Sequence, residues 1–468
     1  MTLAITFHGA ARNVTGSRYL VEAGNSKALV DCGLYQERHL RERNWDPFPI
    51  PARDLDAVLL THAHLDHCGL LPKLVREGFS GSVHCTPASA DIARIVLLDA
   101  AHIQEEDAKY KQRRHRKERR TAPRPVVPLY TTNDANAALR QLAPAPYGKP
   151  IEIAPGIEAT FREAGHILGA SSVCLALSDG TTARSVRFSG DVGRWDAPIL
   201  RDPIQAGNTD YVVVESTYGN RHHRANDTIP DRLAEIINRT CKANGSVVIP
   251  SFAVERAQDL LSYLSHLLHD GRIPSLPVFI DSPMAIRVTE VFRHHPEMFD
   301  EEARELLENG KHPCDFPGLT MCRTARESKA INRLRTPAII IAGSGMCTGG
   351  RIKHHLVHHI SRPESTVMFV GYQARGTLGR YLLEGPREVR IHGRMHPVEA
   401  QITKINGFSA HADQDELIHW LSGMTSPPRH VFVTHGEPDA AEALAAVIVR
   451  KKGWKTSVPS YKDRVVLD

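Results

Sequence analysis

The chain has 468 residues, enough for two or three domains. Its 58 lysine and arginine residues against 53 aspartate and glutamate leave a net charge of +5, too mild an excess to mark a nucleic-acid partner on its own. No apolar run is long enough to cross a membrane. The eight cysteines form no C-x-x-C pair and no regular framework, so reduced thiols in a cytoplasmic protein are expected rather than a disulfide scaffold.

From the N-terminus onward one pattern repeats: a short apolar strand ends in a residue able to bind metal or move a proton. Residues 3–7 read as a first strand rather than a signal sequence. Lys27-Ala28-Leu29-Val30 ends at Asp31-Cys32-Gly33. Asp56-Ala57-Val58-Leu59-Leu60 runs into Thr61-His62-Ala63-His64-Leu65-Asp66-His67, three imidazoles and a carboxylate within six positions. Neutral imidazole and carboxylate suit zinc and similar divalent ions, and this density argues against an incidental polar turn. Next comes a helical stretch, Ala90 to Ala108, followed by a basic run over residues 109–120 and the proline-rich Pro123-Arg124-Pro125. That run reads equally as a solvated helix end or as a phosphate contact. Further strands lead to His166 in Ala164-Gly165-His166, to Asp191 in Ser189-Gly190-Asp191, to Glu215 in Glu215-Ser216-Thr217 and, much later, to His435 in Thr434-His435-Gly436. Each of these alone is weak, since a single His or an Asp beside Gly has ordinary surface roles. Their joint occurrence at strand ends is what points to an active site.

Between Glu215 and His435 the pattern changes. Residues 245–258 and 337–351 each read as an apolar strand, a tight turn and a helix, which suggests a parallel α/β domain. The turns carry Ser251 and Arg256 in the first case, and Ser344, Gly345, Gly349, Gly350 and Arg351 in the second. A glycine-rich turn opening a helix can present backbone N–H groups to a phosphate. The cluster His354-His355-Leu356-Val357-His358-His359 reads as a polar helix surface facing RNA rather than a further metal site, because no partner carboxylate is apparent. Residues 397–402 read as a strand returning to the first domain.

Asp31, His62-x-His64-x-Asp66-His67, His166, Asp191 and His435, in this order, resemble the metallo-β-lactamase superfamily of hydrolases. Glu215, His411 within Gly407-Phe408-Ser409-Ala410-His411, and His435 resemble the three motifs of its β-CASP nucleic-acid-processing branch, including relatives of the mRNA 3′-end cleavage endonuclease. The resemblance implies an αββα sandwich with an inserted parallel α/β β-CASP domain. The first domain would occupy residues 1–219 and 396–468 and the insert residues 220–395, with RNA in the cleft where they meet.

The same resemblance implies two zinc ions, with manganese as an alternative occupant. His62, His64 and His166 would hold one, Asp66, His67 and His435 the other, and Asp191 would bridge them. Asp66 would also orient the attacking water, and Asp31 would support the histidines. His411 would protonate the leaving oxygen, positioned by Glu215. Branch members with histidine at the third motif act on RNA, so the expected activity is a ribonuclease acting on single-stranded RNA, internally or from the 5′ end. The alternatives are a DNA nuclease, a lactone or thioester hydrolase of the same superfamily, or a silent RNA-binding scaffold. A membrane partner is not expected, and a homodimer is left open.

Overall fold

The computed structural model describes residues 2–119, 121, 125–223 and 228–468. The described chain divides into two compact units. The first comprises residues 1–195, 202–222 and 411–468, and the second residues 196–201 and 223–410.

The first unit is built on two seven-stranded mixed sheets. One holds β1 (Leu3–Phe7), β2 (Tyr19–Ala23), β3 (Ser26–Val30), β4 (Ala57–Leu59), β5 (Ser82–Cys85) and β6 (Leu142–Pro144), with β22 (Arg464–Val466) beside β1. The other runs β7 (Ile151–Ala154), β8 (Ile157–Glu163), β9 (Ser171–Ser178), β10 (Ala183–Phe188) and β11 (Tyr211–Val214), then β20 (His430–Val433) and β21 (Thr456–Ser457). Their inner faces share one core that includes Phe7, Val21, Phe161, Val173, Phe188 and Phe432. The ring centroids of Phe7 and Phe432 lie 5.3 Å apart, those of Tyr19 and Phe188 5.6 Å. The outer face of the second sheet is covered by helices Gln414–Leu421 and Pro438–Lys452, through Trp420, Leu444 and Ile448 against Val212, Val214 and Val433. Strands β11 and β20 are apolar on both faces for this reason.

The second unit centres on a six-stranded, all-parallel sheet in the order β14 (Leu319–Met321), β13 (Val278–Asp281), β15 (Ile339–Ala342), β12 (Val247–Pro250), β16 (Thr366–Phe369), β19 (Gln401–Lys404). A hairpin of β17 (Glu388–Ile391) and β18 (Arg394–Pro397) accompanies it. Both strand–turn–helix segments expected inside the insert are present, as β12 and β15.

Three local expectations change. Residues 401–404 do not return to the first unit: β19 pairs with β16 and forms an edge of the second unit's sheet. The helix read over Ala90 to Ala108 does not stop before the basic run but continues into it, spanning Pro87–Glu118. Lysine, arginine and glutamine are good helix formers, and the pairs Lys109–Glu106 and Arg114–Glu118 fall at i,i+3 and i,i+4 spacing. Arg120, Pro123 and Arg124 lie outside the described residues. Finally, the histidine cluster is divided between two faces. His354 and His358 are turned away from the core, whereas His355 and His359 are buried, and His355 Nε2 sits 2.6 Å from Asp281 Oδ2. A carboxylate does adjoin this helix, supplied by a strand far away in sequence. All eight cysteines are free thiols. Among the described residues no helix is long and apolar enough to cross a membrane.

Candidate metal centre

Six loops of the first unit leave the ends of buried strands and converge. Asp31 follows β3, the His62–His67 segment follows β4, His166 follows β8, Asp191 follows β10, Glu215 follows β11 and His435 follows β20. Rigid strands fix where each loop begins, so side chains distant in sequence meet reproducibly. Close backbone approach is part of the design: a Cβ on Gly193 would lie 1.8 Å from the carbonyl oxygen of Gly165, so only glycine lets the Asp191 loop rest on the His166 loop. Asp31 and His435 adopt left-handed φ values of 61° and 49°, a cost of about 1–2 kcal/mol each that surrounding contacts must offset.

Three groups of donor atoms form among the described residues; the third, Asp191, Glu215 and His435, overlaps the two sets that hold the other histidines. In the first, His62 Nε2 and His166 Nε2 lie 3.1 and 3.3 Å from His64 Nδ1, and 3.5 and 3.4 Å from Asp191 Oδ2. In the second, His67 Nε2 lies 3.1 Å from His435 Nε2 and 3.3 Å from Asp191 Oδ1, and His435 Nε2 lies 3.7 Å from Asp66 Oδ2. Asp191 therefore turns one carboxylate oxygen to each set. Its Oδ1 is buried and has no hydrogen-bond partner. Donors bound at about 2.0–2.1 Å around a tetrahedral ion would stand roughly 3.3–3.4 Å apart, which matches the spacing within each set. The residues fit divalent metal, with ligand atoms of each group gathered within 4.8 Å of one another in a buried site.

The electrostatics agree with that fit. Burial, reinforced by the His67 ring, pushes His62 well below its ordinary value. Burial also lowers His64 to about 4, despite Asp66 and Asp191. Both rings are neutral at pH 7 and offer lone pairs. His67 moves the other way: burial opposes its charge, but Asp191 and Asp31 outweigh burial and raise it well above the usual range. Asp191 is held ionised by His435, His67 and His62 against the cost of burial. Protons on the second set thus stand where a cation's charge would replace them.

The supporting groups are equally ordered. Asp31 Oδ2 accepts from His67 Nδ1 at 2.7 Å, which turns Nε2 toward the site, while Asp31 Oδ1 accepts from the Thr61 backbone at 2.8 Å. Glu215 Oε1 lies 3.2 Å from His411 Nδ1 and also accepts from the Val192 backbone at 2.8 Å. Burial would lower His411, but Glu215 and Asp191 overcome it and raise the ring to about 9. His411 keeps 21% of its side-chain surface exposed, against 1% or less for His62 and His67. Two contributors escaped the sequence reading. Thr61 Oγ1 hydrogen-bonds Asp31 at 3.0 Å, and Thr217 Oγ1 lies 3.1 Å from His435 Nδ1. Their adjacency to His62 and Glu215 was the only signal.

Every metal-ligating and catalytic candidate thus falls within one cluster. The residues expected to meet RNA phosphates lie instead in the second unit, and several are already engaged. Arg351 donates to Asp281 Oδ1 at 2.6 Å and to the carbonyls of Cys322 and Arg323 at 2.9 and 3.0 Å. Arg256 pairs with Asp259 at 3.0 Å and is 8% exposed. Ser344 Oγ accepts from the backbone of Thr348 and Gly349 at 3.1 and 3.3 Å, so two amides of the glycine-rich turn close the turn itself. Gly345 and Gly350 belong to that closed turn. Ser251 is buried, its backbone N–H bonded to Ala342.

Comparison with known proteins finds three family models, the last of which spans the boundary between the units at residue 410. Residues 12–211 match the family model of the metallo-beta-lactamase superfamily, residues 257–382 that of the Beta-Casp domain, and residues 395–459 that of the Zn-dependent metallo-hydrolase RNA specificity domain. The chain is 39% identical over 457 residues to Ribonuclease TTHA0252 of Thermus thermophilus, a match covering 98% of each chain. It is 32% identical to the Transcription termination factor FttA of Pyrococcus horikoshii and 30% identical to that of Methanocaldococcus jannaschii, in both cases over 99% of this chain and 71% of the relative. Among solved structures, a protein of unknown function from Enterococcus faecalis V583 aligns over 100% of both chains with a TM-score of 0.54 at 12% identity, a likeness of fold alone.

Proposed function

We propose a ribonuclease mechanism for this chain, which belongs to the metallo-beta-lactamase superfamily and, within it, to the proteins carrying Beta-Casp and RNA specificity domains. The chain hydrolyses phosphodiester bonds of single-stranded RNA with two zinc ions. One observation carries this reading: Asp191 presents one oxygen to each of two donor sets, the arrangement of a shared ligand between two ions. His62, His64 and His166 would hold the first ion, and Asp66, His67 and His435 the second. Two bound divalent ions supply charge neutralisation for the phosphoryl oxygens and make hydroxide available near neutral pH.

The chain's own residues supply the rest. Asp31 holds His67 through Nδ1, so its Nε2 faces inward. Asp66 orients a water and can accept its proton. His411, with Nδ1–H committed to Glu215, directs Nε2–H outward and protonates the departing ribose oxygen. Its raised pKa keeps that proton in place at neutral pH. The RNA specificity domain and the ribonuclease relative support RNA over DNA as substrate.

The test is incubation of the purified chain with end-labelled single-stranded RNA and with DNA of the same sequence, each with and without chelator. Chelator-sensitive cleavage of RNA in preference to DNA is expected, and product lengths separate internal from 5′-terminal attack. Chelator-resistant cleavage, or none of either polymer, would overturn the reading.

A further inference from the structure

The second unit exposes three large aromatic rings that none of the roles above uses, Phe252, Tyr372 and Tyr381, and the first two stand in loops that leave strand ends. β12 hydrogen-bonds to β15 on one side and β16 on the other, so the loops leaving the C-terminal ends of these three strands are neighbours. Open parallel sheets bind ligands outside those ends. The loop after β12 carries Phe252, 40% exposed, and the loop after β16 carries Tyr372, 52% exposed. Tyr381, 47% exposed, lies on the helix Leu378–Leu383 instead, and Phe292, Phe299, Phe316, Phe369 and Phe408 are buried. Leaving Phe252 in water forgoes part of the roughly 1.5–3 kcal/mol that burial of such a side chain provides.

The rings are held on a fixed base. A Cβ on Gly345 would lie 2.8 Å from the Phe252 ring and one on Gly371 3.5 Å from it, so the ring lies across two stretches of bare backbone. The loops are tied together, with Ser251 N–H donating to Ala342 O at 3.0 Å and Gln373 Nε2 to Gly345 O at 2.9 Å. Arg375, three residues beyond Tyr372, is exposed and makes no ion pair among the described residues. Exposed rings on a rigid base, with an uncommitted cation beside them, are what an unstacked nucleobase and its phosphate require. Stacking accepts any base, whereas the polar groups nearby are spent on the loops themselves.

We propose that Phe252 and Tyr372 form a nucleobase-stacking subsite for single-stranded RNA, with Arg375 answering an adjacent phosphate. The inference rests on the RNA substrate proposed above. The experiment compares the full-length wild type with Phe252→Leu, Tyr372→Leu and Tyr372→Phe. Each meets one oligoribonucleotide and a series of it with a single abasic ribose moved along the chain. Both leucine variants should raise KM about tenfold with kcat unchanged, and Tyr372→Phe should resemble the wild type. At one position the abasic ribose should raise KM for the wild type and add nothing in the leucine variants. Equal KM in all four proteins, or abasic sensitivity that persists without the rings, overturns the subsite, including the case in which the rings meet a protein partner. Anisotropy titration with the same oligonucleotides reads the subsite apart from catalysis. A wild type that binds tenfold more tightly than the leucine variants but cuts nothing removes the ribonuclease reading and leaves the subsite standing.

Discussion

Two buried aspartates at parallel strand ends, Asp191 after β10 and Asp281 closing β13, are surrounded in opposite ways. Asp281 has both oxygens answered within the protein, by Arg351, His355 and Ser328, each at 2.6 Å. Asp191 faces the imidazole nitrogens of five histidines, and its Oδ1 has no hydrogen-bond partner. A buried carboxylate closed by protein donors holds a fold together. One set between two groups of imidazoles, with an oxygen that no hydrogen bond closes, is shaped for an ion that completes it. Burial and charge alone do not separate these cases, since both aspartates are held ionised against the cost of burial.

The sharpest way to break this comparison is Asp191→Asn. Because Asp191 touches both donor sets, its loss should remove metal from both and reduce turnover by more than the roughly 10–100-fold typical of an outer partner. Metal content by emission spectroscopy and RNA cleavage check it, and two full equivalents retained with normal turnover would refute a shared ligand. Next in size is His411→Ala, expected to cut kcat by about 10²–10⁴-fold while metal content stays normal. A companion, Glu215→Gln, removes the carboxylate that raises His411. The proton His411 donates is present below its pKa and lost above it, so the alkaline limb of the rate should move to lower pH. A limb that stays in place would dissociate Glu215 from His411. Smaller again is Asp31→Asn, which loosens His67 without removing a ligand and should weaken metal affinity by about 10–100-fold. Competition against a chelator of known affinity measures that change.

The same contrast explains what was legible in the sequence. The His62–His67 segment was readable because its ligands crowd one short loop. The remote ligands were readable only jointly, from the repeated strand-end pattern and the resemblance to the metallo-β-lactamase superfamily, since each alone has ordinary surface roles. Asp281 was not, for its partners lie 47, 70 and 74 positions away. Without them Arg351 looked like a free cation in a glycine-rich turn. The histidines at 354–359 were ambiguous for a related reason. Spacing places 354 with 358 and 355 with 359 on shared faces, but imidazole suits water and core alike, so the buried face could not be chosen. The strand read over 397–402 joins the ends of two separate strands, β18 and β19, and the pairing of β19 with β16 was not legible because short apolar runs carry no record of which sheet they join. Phe252 and Tyr372 were passed over because aromatic residues beside apolar strands ordinarily belong to the core.

The smallest expected effect lies on the Asp281 side, and it tests the comparison from the closed end. Arg351→Ala leaves His355 and Ser328 in place, and Arg351 itself keeps 22% of its side-chain surface exposed. The loss should therefore be about 1–3 kcal/mol of stability, that of a hydrogen-bonded group left short of one donor. Metal content and the salt dependence of RNA binding should not change, because the guanidinium answers the protein rather than phosphate. The pH dependence has a definite sign. Burial raises Asp281, but bonds from His355, Ser328 and Arg351 more than reverse this and depress it. A depressed carboxylate contributes stability that is complete above its unfolded value, about 3.9, and is lost as pH falls through the folded value. The wild type should thus exceed Arg351→Ala in urea midpoint at pH 7, and the gap should narrow below about pH 4 as Asp281 takes up its proton in both proteins. A gap that stays constant into acid would mean that Arg351 acts through the Cys322 and Arg323 carbonyls alone. A reduced salt slope for RNA would return Arg351 to the substrate path.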